Sequence, residues 1–387
     1  VDMLNNRRPF VVWIDTLKDA RIPIEKANRG KTRIFSAGPM AYTILYRKYF
    51  LPPIAHVMWN RIENGIAVGI NPTSPEWHTL ALKLKSKGKH CIAGDYACFD
   101  GKAPTEGYLS SLEFFKEWYT EHWSEVVAHR SNIIDGYELS LTEFLDLLDK
   151  IFLEVVNHIH LMEYEIDNVK HHLFYSVCNG QPSGNPGTAK VNSAQGLWMM
   201  VRSWLELTKG TIYHTVGAFF KHVYVIDYGD DVALNVSSEA ISFFNQNTLT
   251  SIMRKLFGIE FTDEKKTGAS VPDSRSLSEI SFLKRRFEFN EDIQMYVSPM
   301  EVDTLLDILN WVRTGAEDPR IITINNIESV AAELALVSQA AFDEWIPRLK
   351  RKYAELSWRV NKEIFFDTRL GYLLAFRNAN FKSVEIV

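Results

Sequence analysis

Two short apolar runs, residues 223–226 and 232–236, lie on either side of Tyr228-Gly229-Asp230-Asp231. Apolar segments of that length meeting at a glycine-containing turn predict a tight hairpin of two buried strands. A third short apolar strand, 90–95, ends on Asp95, with Asp100 shortly after it. Around these strands the pattern turns helical. An apolar and aromatic stretch, 42–62, predicts a helix broken at Pro52-Pro53. Ser74-Pro75 predicts the start of a helix to about residue 85, and Pro104 the start of one running through Trp118. Leu145, Leu148, Ile151, Phe152 and Val155 recur at helical spacing within 141–160, in a segment read as helical as far as His172. Further helices are predicted over 188–207 and over 238–257, the latter stopped by Gly258. A strand at 259–262 and a hairpin pairing 280–285 with 293–297 follow. After them come helices at 302–313, 326–345 and 347–363. Helices packed on an antiparallel sheet, followed by an all-helical end, make this an α+β chain.

The hairpin tip is chemically odd. Adjacent carboxylates between buried strands repel each other unless something neutralises them, and a divalent cation does this well. Mg²⁺ takes a few carboxylates plus water and phosphate oxygens, so the tip reads as a platform for phosphoryl transfer; an ordinary solvated turn is the alternative. Asp95 ends a separate strand that can reach the same ions.

Composition narrows the classes. The chain has 387 residues, 46% hydrophobic and 12% aromatic, enough for two or three lobes with a large core. Its formal net charge is −5, so any nucleic-acid surface must be a local basic groove. Cys91, Cys98 and Cys178 form no CxxC pair, which argues against a zinc site or a disulfide framework. No apolar run approaches the length of about 20 residues that a membrane span needs, and no secretion signal is visible.

Residues 18–33 collect Lys18, Arg21, Lys26, Arg29, Lys31 and Arg33, interleaved with Ile22, Ile24, Ile34 and Phe35. That suits a basic hairpin with one packed side, whose cations bind phosphate; a solvated charged loop is the plainer reading. Ser183, in the loop built on Gly180, Gly184 and Gly187, stands before Thr188 and Asn192, which share a helical face. Hydroxyls and an amide presented together suit a sugar hydroxyl, although helix capping accounts for the first two. His158, His160, His171 and His172 lack partners at metal-ligand spacing and read as surface or interface histidines.

In this order the stretches resemble an RNA-dependent RNA polymerase of a picornavirus-like positive-strand RNA virus, of the dicistrovirus or iflavirus kind. Lys18 to Arg33 matches the family's basic finger. Asp95-Tyr96-Ala97-Cys98-Phe99-Asp100 matches the DYxxFD motif, and Ser183-Gly184 through Thr188 and Asn192-Ser193 matches SGxxGTxxxNS. Tyr228 to Asp231 is the YGDD motif, Lys266 the lysine after a strand, and Phe282 to Arg285 the FLKR motif. The resemblance implies a right-hand fold. Its parts would be fingers at 1–52 and 103–180, palm at 53–102 and 181–298, and an all-α thumb at 299–387.

It also implies roles. Asp95, Asp230 and Asp231 would hold Mg²⁺, with Mn²⁺ as a substitute, and Lys266 would protonate pyrophosphate. Lys18, Lys26, Lys31 and Arg33 would meet the triphosphate. Asp100, Ser183, Gly184, Thr188 and Asn192 would serve nucleotide and ribose recognition, and Lys284 and Arg285 would lie near the primer backbone. The partners implied are an RNA template and primer, ribonucleoside triphosphates, a small protein primer and other viral replication proteins. The location implied is the host cytoplasm, at membrane-associated replication complexes.

Departures from the family are expected to matter. Only 17 residues precede the basic finger, so much of the N-terminal fingers region is absent from the sequence. Ile22 stands where a basic residue is expected, with Arg21 adjacent. The material at 131–172 is longer than in picornavirus enzymes. Two other readings compete. One is a reverse transcriptase, which would lack the Ser183-to-Asn192 pattern; the other is a catalytically inactive RNA-binding fragment.

Overall fold

The computed structural model describes residues 10–266, 271–312, 315, 317–358 and 360–379. The chain opens with β1 (Val12–Leu17), the short helix α1 (Ile24–Asn28) and β2 (Ile34–Ala37), then α2 (Met40–Trp59) and α3 (Pro75–Lys83). Next come β3 (His90–Tyr96), α4 (Phe99–Lys102), α5 (Thr105–Glu121), α6 (Trp123–Ala128) and the two-residue strands β4 (Ile133–Ile134) and β5 (Tyr137–Glu138). α7 (Leu141–Val156), β6 (His158–Ile166) and β7 (Val169–Val177) lead into α8 (Thr188–Leu207). α9 (Val216–His222), β8 (Val223–Tyr228), β9 (Asp231–Val236), α10 (Gln246–Phe257) and β10 (Phe261–Asp263) follow. Two small hairpins, β11 (Ser281–Phe282) with β12 (Arg285–Arg286) and β13 (Glu288–Asn290) with β14 (Met295–Val297), precede the helical end. That end is α11 (Val302–Ile308), α12 (Pro319–Val337), α13 (Gln339–Ser357) and α14 (Arg369–Asn378).

The central sheet runs β10-β3-β9-β8, antiparallel throughout. Side chains alternate across it as strand geometry requires. Val232, Leu234 and Val236 join the core shared with α8 and α10, while Ala233 joins a second core with Trp77 of α3 and the small hairpins. Burial on both faces explains why these strands read as continuous apolar runs. An outer sheet, β2-β1-β6-β7, pairs β1 in parallel with β6, and a third core lies among α11, α12 and α13. No helix among the described residues is long and apolar enough to cross a membrane.

Several elements differ from the sequence reading, each for a physical reason. α2 continues through Pro52 and Pro53. Pro53 cannot donate to the Tyr49 carbonyl, and the Tyr119 hydroxyl of α5 fills that gap at 2.6 Å. The helix expected over 141–160 stops at Val156, and 158–177 is a β-ribbon. Inward positions of β6 carry His158 and His160, both 4% exposed, while Ile159 and Leu161 face outward half-buried, so the ribbon's polarity is inverted. His158 and His160 are buried and hydrogen-bonded, not at the surface, whereas His171 and His172 are exposed.

The helix expected from residue 238 starts at Gln246, where Asn245 accepts from the amides of Asn247 and Thr248. The single hairpin expected over 280–297 is two hairpins. Pro347 lies inside α13, and the break comes earlier, at Ser338, whose hydroxyl caps the amide of Ala341. The basic stretch is a strand–helix–strand excursion with no packed side: α1 buries nothing, and Ile24, Ile34 and Phe35 are exposed.

Two stability predictions follow from these contacts. Tyr119→Phe leaves the buried Tyr49 carbonyl unpaired and should cost about 1–3 kcal/mol in urea unfolding. His158, against His160, Asp15 and the Asn179 carbonyl, is lowered from the ordinary 6.5 to about 4, by burial first and then by the charge of His160. A lowered folded value means that stability is full above pH 6.5 and is lost as pH falls towards 4. Unfolding midpoints across that window should drop more steeply for wild type than for His158→Gln.

Candidate active site

The register of β3 on β9 sets Asp95 directly opposite Asp231, and the hairpin sets Tyr228 opposite Asp231 on the other side. Asp230 occupies the turn between β8 and β9, where Gly229 adopts φ +67°, a conformation open to glycine and strained for most other residues. The turn is tied to α8, because the Gly229 N–H donates to the Ser193 hydroxyl at 2.9 Å. Ser193 in turn donates to the Ala189 carbonyl at 2.7 Å. Sequence reasoning placed Ser193 at the end of the SGxxGTxxxNS match but gave it no role.

The three carboxylates act on one another. Burial pushes the Asp231 carboxyl up, and the charges of Asp230 and Asp95 push it further, to about 6; Lys284 and Lys266 pull it back. Lys266 follows β10, which pairs with β3, and its ammonium lies 2.5 Å from Asp95 Oδ2. That ion pair is the first cause of the rise in the lysine's own pKa. The Lys266 turn is braced by Glu264, whose carboxylate receives both Nη atoms of Arg275 at 2.9 and 2.6 Å.

Mutual repulsion is the observation that fits a divalent cation to this end of the sheet. Among the described residues no His, Cys, Asp or Glu cluster forms a ready metal cage. A hard cation that keeps water and phosphate oxygens needs no such cage. A buried carboxyl nearby is set apart from these: Asp227, wholly buried against α8 without a side-chain hydrogen-bond partner among the described residues, is pushed well up by burial.

The remaining candidates fall in three places. Lys18, Lys26, Lys31 and Arg33 are exposed on the β1–α1–β2 excursion and have no side-chain partner among the described residues. Four unpaired cations on one excursion suit an anionic ligand. Arg21 is different. Its guanidinium is 2.6 Å from Asp307 and 4.8 Å from the Trp311 ring, so it joins the excursion to the helical end. Lys284, in the left-handed region at φ 60°, is exposed and near enough to act on Asp231. Arg285 turns away, into a bidentate pair with Glu333 of α12 at 2.8 and 2.6 Å.

The Ser183 hydroxyl accepts the Ser36 N–H at 3.1 Å, which leaves its own proton to donate. A Cβ on Gly184 would come within 2.3 Å of the Ser36 carbonyl, so this close approach of loop to strand requires glycine. The Thr188 hydroxyl donates to the Asn185 carbonyl at 2.7 Å and holds the loop closed. The side-chain oxygen Oδ1 of Asn192 accepts from the Tyr108 hydroxyl at 3.0 Å and from Gln181 Nε2 at 2.5 Å. Asp100 lies in α4, and its side chain falls outside the described residues.

Protonated Asp231 cannot serve a cation, so cation binding should weaken as pH falls through about 6. The metal-free protein should behave oppositely, because an acid with a raised folded pKa loses stability as pH rises through that value. Melting temperature with and without Mg²⁺ or Mn²⁺ checks both. The metal-induced rise should be clear near neutral pH and nearly absent at about pH 5.

The chain is similar to known proteins. A family model for viral RNA-dependent RNA polymerase matches residues 2–356. The replicase polyprotein of Drosophila C virus (strain EB) is 34% identical over 365 residues, 94% of this chain and 19% of that protein. The replicase polyprotein of Cricket paralysis virus is 37% identical over 337 residues, 86% of this chain and 18% of its own length. The chain thus spans about a fifth of the curated relatives it matches. A solved structure, Sicinivirus 3Dpol RNA dependent RNA polymerase, superposes with a TM-score of 0.71 over 97% of this chain and 70% of that one, at 17% identity. That likeness shows the right-hand fold. With the family model spanning nearly the whole chain and its relatives among insect-virus replicases, the chain belongs to the viral RNA-dependent RNA polymerases, on the dicistrovirus-like side expected from its motifs.

Proposed function

We propose that the chain adds ribonucleotides to an RNA strand on an RNA template, by two-metal-ion nucleotidyl transfer, in viral genome replication. The observation that carries this reading is the register that sets Asp95 against Asp231, with Lys266 on Asp95. Asp95, Asp230 and Asp231 would hold the ions, Mg²⁺ or in its place Mn²⁺. Bound there, these would make the 3′-hydroxyl a nucleophile and neutralise charge on the leaving pyrophosphate.

The chain's own residues supply the rest. Lys18, Lys26, Lys31 and Arg33 attract and orient the triphosphate. Lys266, kept protonated by Asp95, is a proton source for pyrophosphate once the nucleotide's phosphates draw the ammonium away. The free proton of Ser183 donates to the ribose 2′-hydroxyl, with Gly184, Thr188, Asn192 and Asp100 shaping that side of the nucleotide. Lys284, beside the carboxylates, faces the primer end, and Arg285 supports it by anchoring the hairpin to α12. Base identity is left to template pairing, which suits a chain whose cations are local and whose total charge is −5. A small protein primer, other replication proteins and a site at membrane-associated complexes in the host cytoplasm complete the reading.

Primer extension on a homopolymeric RNA template tests it. Asp230→Ala should reduce Mg²⁺-dependent incorporation by at least about 10³-fold. Activity equal to wild type would remove the metal role. Lys266→Leu should slow addition by about 10²-fold or more with little change in nucleotide KM. Preference for deoxyribonucleotides over ribonucleotides would indicate a reverse transcriptase instead.

A further inference from the structure

The β6–β7 ribbon feeds a chain of buried polar groups that ends on the Ser183 loop. Its hub is Asp15 on β1, 5% exposed. Asp15 Oδ1 accepts from the Ser36 hydroxyl at 2.6 Å and from His160 Nδ1 at 2.9 Å, and Oδ2 accepts from the Tyr175 hydroxyl. His160 Nε2 lies 2.5 Å from His158 Nδ1, and His158 Nε2 lies 3.3 Å from the Asn179 carbonyl. From the carboxylate through two imidazoles to the carbonyl there are three contacts. Each carboxylate oxygen and each ring nitrogen thus has a partner, the condition under which a buried network is rigid.

On its other side the hub reaches the loop. Ser36, whose hydroxyl is held by Asp15, uses its backbone on both loop residues. Its N–H donates to Ser183 Oγ at 3.1 Å, and its carbonyl accepts the Gly184 N–H at 3.1 Å. Burial alone would push Asp15 up, but the bonds from Ser36, Tyr175 and His160 outweigh it and keep the group a carboxylate. We propose that Asp15 is a positioning residue for the Ser183 loop: the β6–β7 ribbon fixes its carboxylate through His160 and Tyr175, and Asp15 fixes Ser36, which sets where the Ser183 hydroxyl stands. Ribose selection then depends on a carboxylate that touches neither nucleotide nor RNA. That consequence rests on the ribose role given to Ser183; the coupling of Asp15 to the loop does not.

The test reads the two parts separately in the full chain. Hydrogen exchange at the Gly184 amide reports the loop clamp, and Asp15→Asn should speed it about tenfold or more. Ser36→Ala, a milder change that carries the test if Asp15→Asn does not fold, should do the same, and Ser36→Thr should keep wild-type protection. Unchanged Gly184 exchange in both loosening variants overturns the proposal. The ratio of kcat/KM for a ribonucleotide to that for its 2′-deoxy analogue should fall about fivefold or more in Asp15→Asn and Ser36→Ala. A purely structural role would lower both substrates together and hold the ratio, which also overturns it if Ser183→Ala lowers that ratio. If the loop loosens while Ser183→Ala leaves the ratio alone, the ribose reading of Ser183 fails and the coupling stands.

Discussion

The molecule is arranged around an electrostatic conflict. Pairing β3 with β9 buries an apolar sheet on both faces, yet the same register places Asp95 opposite Asp231, with Asp230 beside it. Like charges at the end of a buried sheet are tolerated only where other elements restrain or neutralise them. Ser193 holds the turn from α8, Lys266 covers Asp95 from β10, and Lys284 acts on Asp231 from the hairpin beyond. Each helper comes from a different part of the chain. The fold can be read as the set of connections needed to bring them to one spot.

The central sheet was legible because its chemistry and its periodicity coincide. Apolar runs leading into and out of Asp230-Asp231 can only be strands, and the carboxylate ending 90–95 has few other uses. What hid elsewhere did so for identifiable reasons. The β6–β7 ribbon puts histidines inward and isoleucine and leucine outward, so its alternation opposes the usual signal of a half-buried strand. Continuity of α2 through two prolines depends on a hydroxyl that lies 70 positions later in the chain, which no local rule can supply.

The candidate site shows the same division. Residue types and spacing pointed to Asp95, Asp230 and Asp231, the family resemblance pointed to Lys266, and the structure draws them together. Sequence could not show that Arg285 is spent on Glu333 or that Thr188 is turned into its own loop. A side chain's partner is a tertiary fact, and motif position alone does not distinguish a group facing a ligand from one bracing a neighbour.

The pairing of Arg21 with Asp307 and Trp311 has a mechanical meaning. It is a point where the basic excursion meets the helical end, and both charged partners are about half exposed. A contact of that kind is weakened by salt, in contrast to the apolar cores that hold each lobe. The two lobes therefore meet here as a clasp rather than a weld. Its strength is set by the surrounding ions, and parting it would leave both lobes folded.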